Sequence, residues 1–347
     1  MGRPHRPSTS PKTQPSSIRP VRVAVVDIGT NSTRLLIAEV DPHTAALEEL
    51  VRHSRVTRLG EGVDASGALS TAAIDRVLGV LDGYRQEIET HGCEANMAVL
   101  TSAVRDASNG ADFANRVRED YGLDARVLSG EQEAQLTFLG AMTGRDASGS
   151  DGGGHTDGEG AVAPSGSADP LVVIDIGGGS TEFIVGQGLT AGFHVSLQAG
   201  VVRMSERHID TDPPEPEQLQ ALADDVRATF RQGLPRAERD PVEQAVAVAG
   251  TATSAAAIDQ ELDPYDPDRV NGYPLTLGTV ELLLARLADM DEDRRRQVVG
   301  LHPDRAPTIV AGMVVLIEAM RAFHLEQVEV SEHDILHGGA LRLAGAG

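Results

Sequence analysis

Residues 23–38 read VAVVDIGTNSTRLLIA and residues 171–186 read LVVIDIGGGSTEFIVG. With Asp27 laid on Asp175, the residues Asp, Ile, Gly, Ser and Thr fall at the same offsets in both. An apolar run of strand length leads into each turn, Val23–Val26 and Leu171–Ile174, and a second, Leu35–Ile37 and Phe183–Val185, leads out. Each copy is therefore predicted as a β-hairpin with an aspartate closing its first strand. A repeat spaced by about half the chain predicts two related domains. Neither copy has the strand–turn–helix order of a dinucleotide or P-loop unit, and GxxxxGK[ST] is absent.

Outward from the hairpins, helical and strand patterns alternate. Thr71–Ile88 places Ile74, Val77, Leu78, Leu81 and Ile88 on one face, and Ala306–Phe323 repeats apolar residues at spacings of three and four. Short strands are predicted at Met97–Leu100, Ala125–Leu128, Ala245–Ala249 and Val328–Val330. This alternation indicates an α/β protein. The expected layout is a disordered tail over 1–20, a first domain over 21–135 and a second over 136–347. Residues 144–170, GRDASGSDGGGHTDGEGAVAPSGSADP, have too few large apolar side chains to offset their ordering entropy and are expected to form a flexible acidic, Gly-rich insert.

The composition excludes several classes. Of 347 residues, 40 % are hydrophobic and 24 % charged, which suits a soluble protein with a core. No apolar run is long enough to span a membrane. Aromatics are 3 % with no Trp, which argues against a base-stacking platform. A single cysteine, Cys93, excludes a disulfide framework. The net charge of −22 disfavours nucleic acid and anionic membranes as partners, but a local cluster of donors can still bind a small anion. No signal peptide is apparent, so a cytoplasmic location is expected.

Both hairpin turns suit phosphate. Gly177, Gly178 and Gly179 allow a close backbone approach, Ser180 and Thr181 add hydroxyls, and Thr30, Asn31 and Ser32 offer the same in the first copy. Asp27 and Asp175 would face each other across an inter-domain cleft, as paired carboxylates that hold Mg²⁺ do. Ordinary structural turns are the alternative for each hairpin alone. Ser129-Gly130-Glu131-Gln132-Glu133 has capping-box spacing, and its glutamates either complement a helix N-terminus or supply a base that activates water. Arg105, just past a predicted strand, is either a phosphate-gripping fork or half of a surface pair with Asp106. Arg34 is a weaker candidate of the same kind, and Arg55 and Arg58 could add positive field. The Ala245–Gly250 strand followed by Thr251-Ala252-Thr253-Ser254 is either an anion-binding helix start or a packing turn. His302, His333 and His337 are scattered in the sequence and predict no metal cluster.

Taken in order, DIGTNSTRLL, TRLGEGV, TSAVRDASN, SGEQEAQL, VIDIGGGSTEF, AGTATS and GLHPDRAPTIVAG resemble the exopolyphosphatase/guanosine pentaphosphate phosphohydrolase (Ppx/GppA) family, from about Val21 to Leu343. The resemblance implies two actin-like, ribonuclease H-like domains around a cleft, of the short two-domain type. It implies Glu133 as the glutamate that positions or deprotonates the attacking water. Asp27, Asp175 and Glu182 then lie near a divalent cation, Mg²⁺ or Mn²⁺. Asn31, Ser32, Arg105, Gly177 to Gly179, Ser180 and Thr181 match phosphate contacts. One departure is Gln132, where the family often has a first of two glutamates. A homodimer is a family-level expectation.

The expected activity is metal-dependent removal of the terminal phosphate of inorganic polyphosphate. The alternatives are hydrolysis of pppGpp to ppGpp, the reaction of the stringent response, and a non-catalytic sensor of polyphosphate or (p)ppGpp. An actin-like kinase is disfavoured by SGEQEA and TSAVR.

Overall fold

The computed structural model describes residues 19–148 and 169–346. The expected tail, apart from its last two residues, and most of the expected insert lie outside them.

The first half runs β1 (Val21–Ile28), β2 (Ser32–Val40), β3 (Leu47–Val56), α1 (Val63–Ser66), α2 (Thr71–His91), β4 (Ala95–Leu100), α3 (Ser102–Asp106), α4 (Gly110–Tyr121), β5 (Ala125–Val127) and α5 (Gly130–Ser148). The second runs β6 (Leu171–Ile176), β7 (Thr181–Gln187), β8 (Thr190–Leu197), α6 (Val201–His208), α7 (Pro216–Gly233), α8 (Arg236–Arg239), β9 (Gln244–Val248) and α9 (Ala249–Asp259). It ends with α10 (Pro267–Val270), β10 (Pro274–Thr276), α11 (Leu277–Ala288), α12 (Glu292–Arg295), α13 (Ile309–Ala322), β11 (Gln327–Val330) and α14 (Ile335–Ala344).

Both repeats are hairpins. Asp27 pairs in register with Arg34, and Asp175 with Glu182. The sheets have matching orders, β3-β2-β1-β4-β5 and β8-β7-β6-β9-β11, the second extended by β10. In each, three antiparallel strands adjoin two parallel ones. The two halves thus repeat one α/β sheet arrangement, as the internal repeat predicts. No helix among the described residues is long and apolar enough to cross a membrane.

Each central strand is buried on both faces, which explains its unbroken apolar run. Ala24, Val26 and Ile28 pack under α2 and α4, whereas Val23 and Val25 pack against Ile335, Leu336, Ala340 and Leu341 of α14. On the second sheet, Val172 and Ile174 face α7, α9 and α13, while Leu171 and Val173 meet Ala134, Phe138 and Met142 of α5. The helix closing each half is thus exchanged. α5 covers the second sheet and α14 the first, so the packing crosses the expected division at 135/136. The two helices cross at Gly140 and Gly338. A Cβ on Gly140 would lie 1.9 Å from Asp334 O, and one on Gly338 would lie 1.8 Å from Leu136 O.

Two expectations shift. α5 continues to Ser148, five residues into the expected insert, because Arg145 pairs with Glu329 at 3.3 Å and a formed helix propagates readily. α13 is buried on all sides, with Glu318 neutralised by Arg227 and Arg321 at 2.8 Å each.

Candidate active site

The two hairpin turns meet. A Cβ on Gly178 would lie 2.9 Å from Thr30 Cβ, and one on Gly179 would lie 2.8 Å from Ser102 Oγ, so only glycine permits this approach. Thr30 Oγ1 is 2.9 Å from Ser102 Oγ and accepts Ala103 N–H at 3.2 Å. That contact fastens the first turn to α3. Between the turns lies a cleft of about 100 Å³.

Most residues singled out in the sequence line this cleft: Asp27, Thr30, Asn31 and Ser32 from one side, Asp175, Gly177, Gly178, Ser180 and Glu182 from the other, and Glu133 from α5. Three stand behind it. Arg105 Nη1 donates to Glu133 Oε2 at 2.9 Å and to Leu128 O at 3.1 Å. Gly179 turns its carbonyl to Arg203 Nε at 2.8 Å. Thr181 was expected to present a hydroxyl to phosphate, but Oγ1 donates to Ala199 O at 2.8 Å, fully buried. As the first residue of β7 it points to the opposite face from its neighbour Ser180. Ser180 Oγ itself donates to Glu182 Oε1 at 2.6 Å, as does Ser196 Oγ.

The helix that carries Glu133 begins as its sequence predicts. Ser129 Oγ accepts Gln132 N–H at 3.2 Å, and Gln132 Oε1 accepts Ser129 N–H at 3.0 Å. Gln132 is therefore turned back into the cap and exposed, whereas Glu133 is 7 % exposed and enters the cleft.

Four carboxyl groups share this small space. Burial and the charge of Glu182 push Glu133 up, against the pull of Arg105. Burial and neighbouring Asp334 push Asp175 up, and burial with Asp175 raises Glu182. Asp27 is raised by burial despite Arg34, whose Nε and Nη2 donate to Oδ2 at 2.9 and 2.7 Å. Its other oxygen, Oδ1, is buried with no partner among the described residues. The Asp175 carboxyl likewise has no hydrogen bond among the described residues. Crowded, under-partnered carboxylate oxygens are the donor set of a hard divalent cation.

Sequence reasoning undervalued two arginines. Arg34 also binds Asp334, the cap of α14, and so fixes Asp27 against the exchanged helix. Arg305 lines the cleft without an ion-pair partner among the described residues. Its guanidinium occupies the space above Gly250, where a Cβ would lie 1.2 Å from Nη1. Burial and Arg34 pull its pKa down, as expected for a cation lacking its anion. The Gly250 junction is thus both an opening helix and a seat for Arg305. No periodicity marks Arg305; its only signal is the GLHPDRAP motif. Arg55 and Arg58 do not line the cleft.

The histidines need correction. His333 and His337, four apart, are brought together and stack, with centroids 4.1 Å apart and 18° between planes. With Glu49, their ligand atoms lie within 4.8 Å of one another. Stacked rings aim their nitrogens side by side instead of at a common point. His337 Nε2 is also engaged with Glu49 at 2.7 Å while Nδ1 accepts Asp334 N–H at 3.3 Å. The trio is a hydrogen-bonded His337–Glu49 pair with His333 stacked on it, at the base of α14.

The sequence model described as the Ppx/GppA phosphatase family matches residues 36–156 and 158–344. The chain belongs to the Ppx/GppA phosphatase family. Exopolyphosphatase 2 of Mycobacterium tuberculosis is 33 % identical over 335 residues, 93 % of this chain and 99 % of that protein. Exopolyphosphatase 1 of Mycobacterium bovis is 30 % identical over 93 % of this chain and 88 % of its own length. Among solved structures, an exopolyphosphatase-like protein superposes with a TM-score of 0.81 at 29 % identity, covering 93 % of this chain and 98 % of the other. The Aquifex aeolicus Ppx/GppA family member gives 0.73 at 28 % identity, covering 93 % and 97 %. As a Ppx/GppA protein the chain is a hydrolase of the phosphatase class.

Proposed function

We propose that this phosphatase is an exopolyphosphatase that hydrolyses the terminal phosphoanhydride of inorganic polyphosphate. The observation that carries the reading is the placement of Glu133, buried opposite two phosphate-type turns and bonded to Arg105, in a cleft of about 100 Å³ sized for a phosphoryl group. Glu133 accepts a proton from water as the water oxygen bonds to the end phosphorus and the bridging P–O bond breaks. A raised carboxyl pKa makes it a stronger base near neutral pH. Arg105 opposes that rise and orients the carboxylate. The N–H groups of both turns and the unpaired Arg305 take the equatorial oxygens, so the protein's part is mostly positioning and charge stabilisation. Asp27, Asp175 and Glu182 would hold Mg²⁺ or Mn²⁺, which when bound neutralises phosphate charge.

A second reading, pppGpp hydrolysis, draws on a compartment of about 750 Å³ beyond Arg34 and Arg305, lined in part by Val56, Leu262 and Tyr265. Its size and partly apolar wall suit a nucleoside.

The test is phosphate release from long-chain polyphosphate, pppGpp and ATP, with Mg²⁺, Mn²⁺ or EDTA, by the wild type and Glu133→Gln. Cation-dependent release from polyphosphate that the variant loses supports the proposal. Faster release from pppGpp moves the assignment to the second reading, and tight binding without release from any substrate leaves a sensor.

A further inference from the structure

The 177–180 turn is held from behind by α6. Val201 N–H donates to Gly177 O at 3.0 Å and Val202 N–H to Gly178 O at 2.8 Å. The backbones approach so closely that a Cβ on Gly200 would lie 2.4 Å from Gly178 C and Ser180 N.

From this base one side chain reaches to the first half of the chain. Arg203 Nε donates to Gly179 O at 2.8 Å and Nη2 to Asp106 Oδ2 at 3.0 Å, while Nη1 binds Asp64. Asp106 follows Arg105 in α3, and Asp64 lies in α1. One guanidinium, 11 % exposed, therefore ties the second turn to two elements of the first half. Arg207, one helical turn on, binds both Asp64 oxygens at 2.6 and 3.0 Å, and Glu206 accepts Gly62 N–H at 3.1 Å.

A single exposed ion pair contributes little. Three acceptors on one planar fork differ, because the fork fixes angles as well as distances and an ammonium cannot reproduce it. We propose that Arg203 is a positioning residue for phosphoryl hydrolysis. By clamping Gly179, Asp106 and Asp64 it sets the spacing between the 177–180 turn and the Arg105–Glu133 pair. This rests on the reading of the cleft as a phosphoanhydride-hydrolysing site. Reacting groups tolerate little misplacement, since a shift of about 1 Å can cost about a hundredfold in rate.

The experiment compares Arg203→Lys and Asp64→Asn with the wild type in steady-state polyphosphate hydrolysis. Thermal melting checks folding, and amide hydrogen exchange is followed at residues 177–180. Arg236→Gln, an exposed arginine with no side-chain hydrogen bond or ion pair among the described residues, is the control. The expected result is a fall in kcat of about tenfold or more for Arg203→Lys, with KM changing less. Asp64→Asn falls in the same direction, the control does not, and the 177–180 amides exchange faster in both folded variants. Wild-type kcat and unchanged exchange in folded Arg203→Lys and Asp64→Asn would overturn the proposal. A wild type that releases no phosphate defeats the exopolyphosphatase reading separately. The exchange arm then still decides whether Arg203 holds the turn, and unchanged protection rejects it.

Discussion

Arg105 Nη1 lies 2.9 Å from Glu133 Oε2, so a buried carboxyl of the cleft is bonded to a cation whose other anchor is the Leu128 carbonyl. The charge on Arg105 lowers a pKa that burial and Glu182 raise, to a resultant of about 8.

Loss of that cation raises the Glu133 pKa further. Arg105→Gln is expected to move the acid limb of the kcat/KM–pH profile to higher pH, and Glu133→Gln to remove the limb with a rate loss of about 10²–10⁴. A pH–rate series on the three proteins checks both. An unmoved limb in Arg105→Gln would show that Glu133 does not titrate in the reaction.

The crowded carboxyls also make stability depend on pH. Asp175 and Glu182 are raised to about 7 and Glu133 to about 8, above their unfolded values. Between those limits the native state holds more protons than the unfolded chain, so stability falls as pH rises. The cation-free protein is expected to melt at progressively lower temperature from pH 5 to 8, with the loss reversed by Mg²⁺ or Mn²⁺. Asp334 acts oppositely: burial resists its charge, but Arg34 and Arg52 hold it at about 2, so its contribution is lost only in strong acid. Calorimetric melting with EDTA and with cation tests this, and a melting temperature flat with pH in EDTA would contradict it.

Gly250→Ala separates substrate binding from folding. The atoms nearest the added methyl all belong to the far end of the Arg305 side chain, which can swing away, so the melting temperature should hold. With its guanidinium displaced, KM for polyphosphate is expected to rise about tenfold, the worth of one charge-assisted hydrogen bond. An unchanged KM would remove Arg305 from the phosphate contacts.

Gly140→Ala has no such escape, because its methyl meets the Asp334 carbonyl. Parting α5 from α14 is expected to cost about 1–3 kcal/mol, read by urea unfolding. A loss well below 1 kcal/mol would mean that the crossing accommodates a side chain.

What the sequence revealed follows burial. β1 and β6 were legible because both faces are covered and the apolar run is unbroken. β3, LEELVRHSRV, lies at a sheet edge, where charged residues are favoured and alternation fades, and β8 is the corresponding edge. Glu133, Asp27 and Asp175 were legible from local motifs, as was the cap that holds Gln132 away from the cleft. The Arg203 clamp was not, because Asp64 and Asp106 lie far away in the chain, and Arg305 was not, because no periodicity marks it. The exchange of α5 and α14 was hidden for a related reason: an apolar helix face announces burial but not which sheet receives it.

That exchange bears on the order of synthesis. Val23, Val25, Leu36 and Met97 are made well before the helix that covers them, which follows the whole of the second sheet in the chain. The nascent first half must wait with one side of its sheet bare until residues 335–344 arrive, a long interval for exposed apolar surface. Truncation anywhere upstream would leave that side permanently uncovered, so messages cut short should yield aggregates instead of a working half-protein.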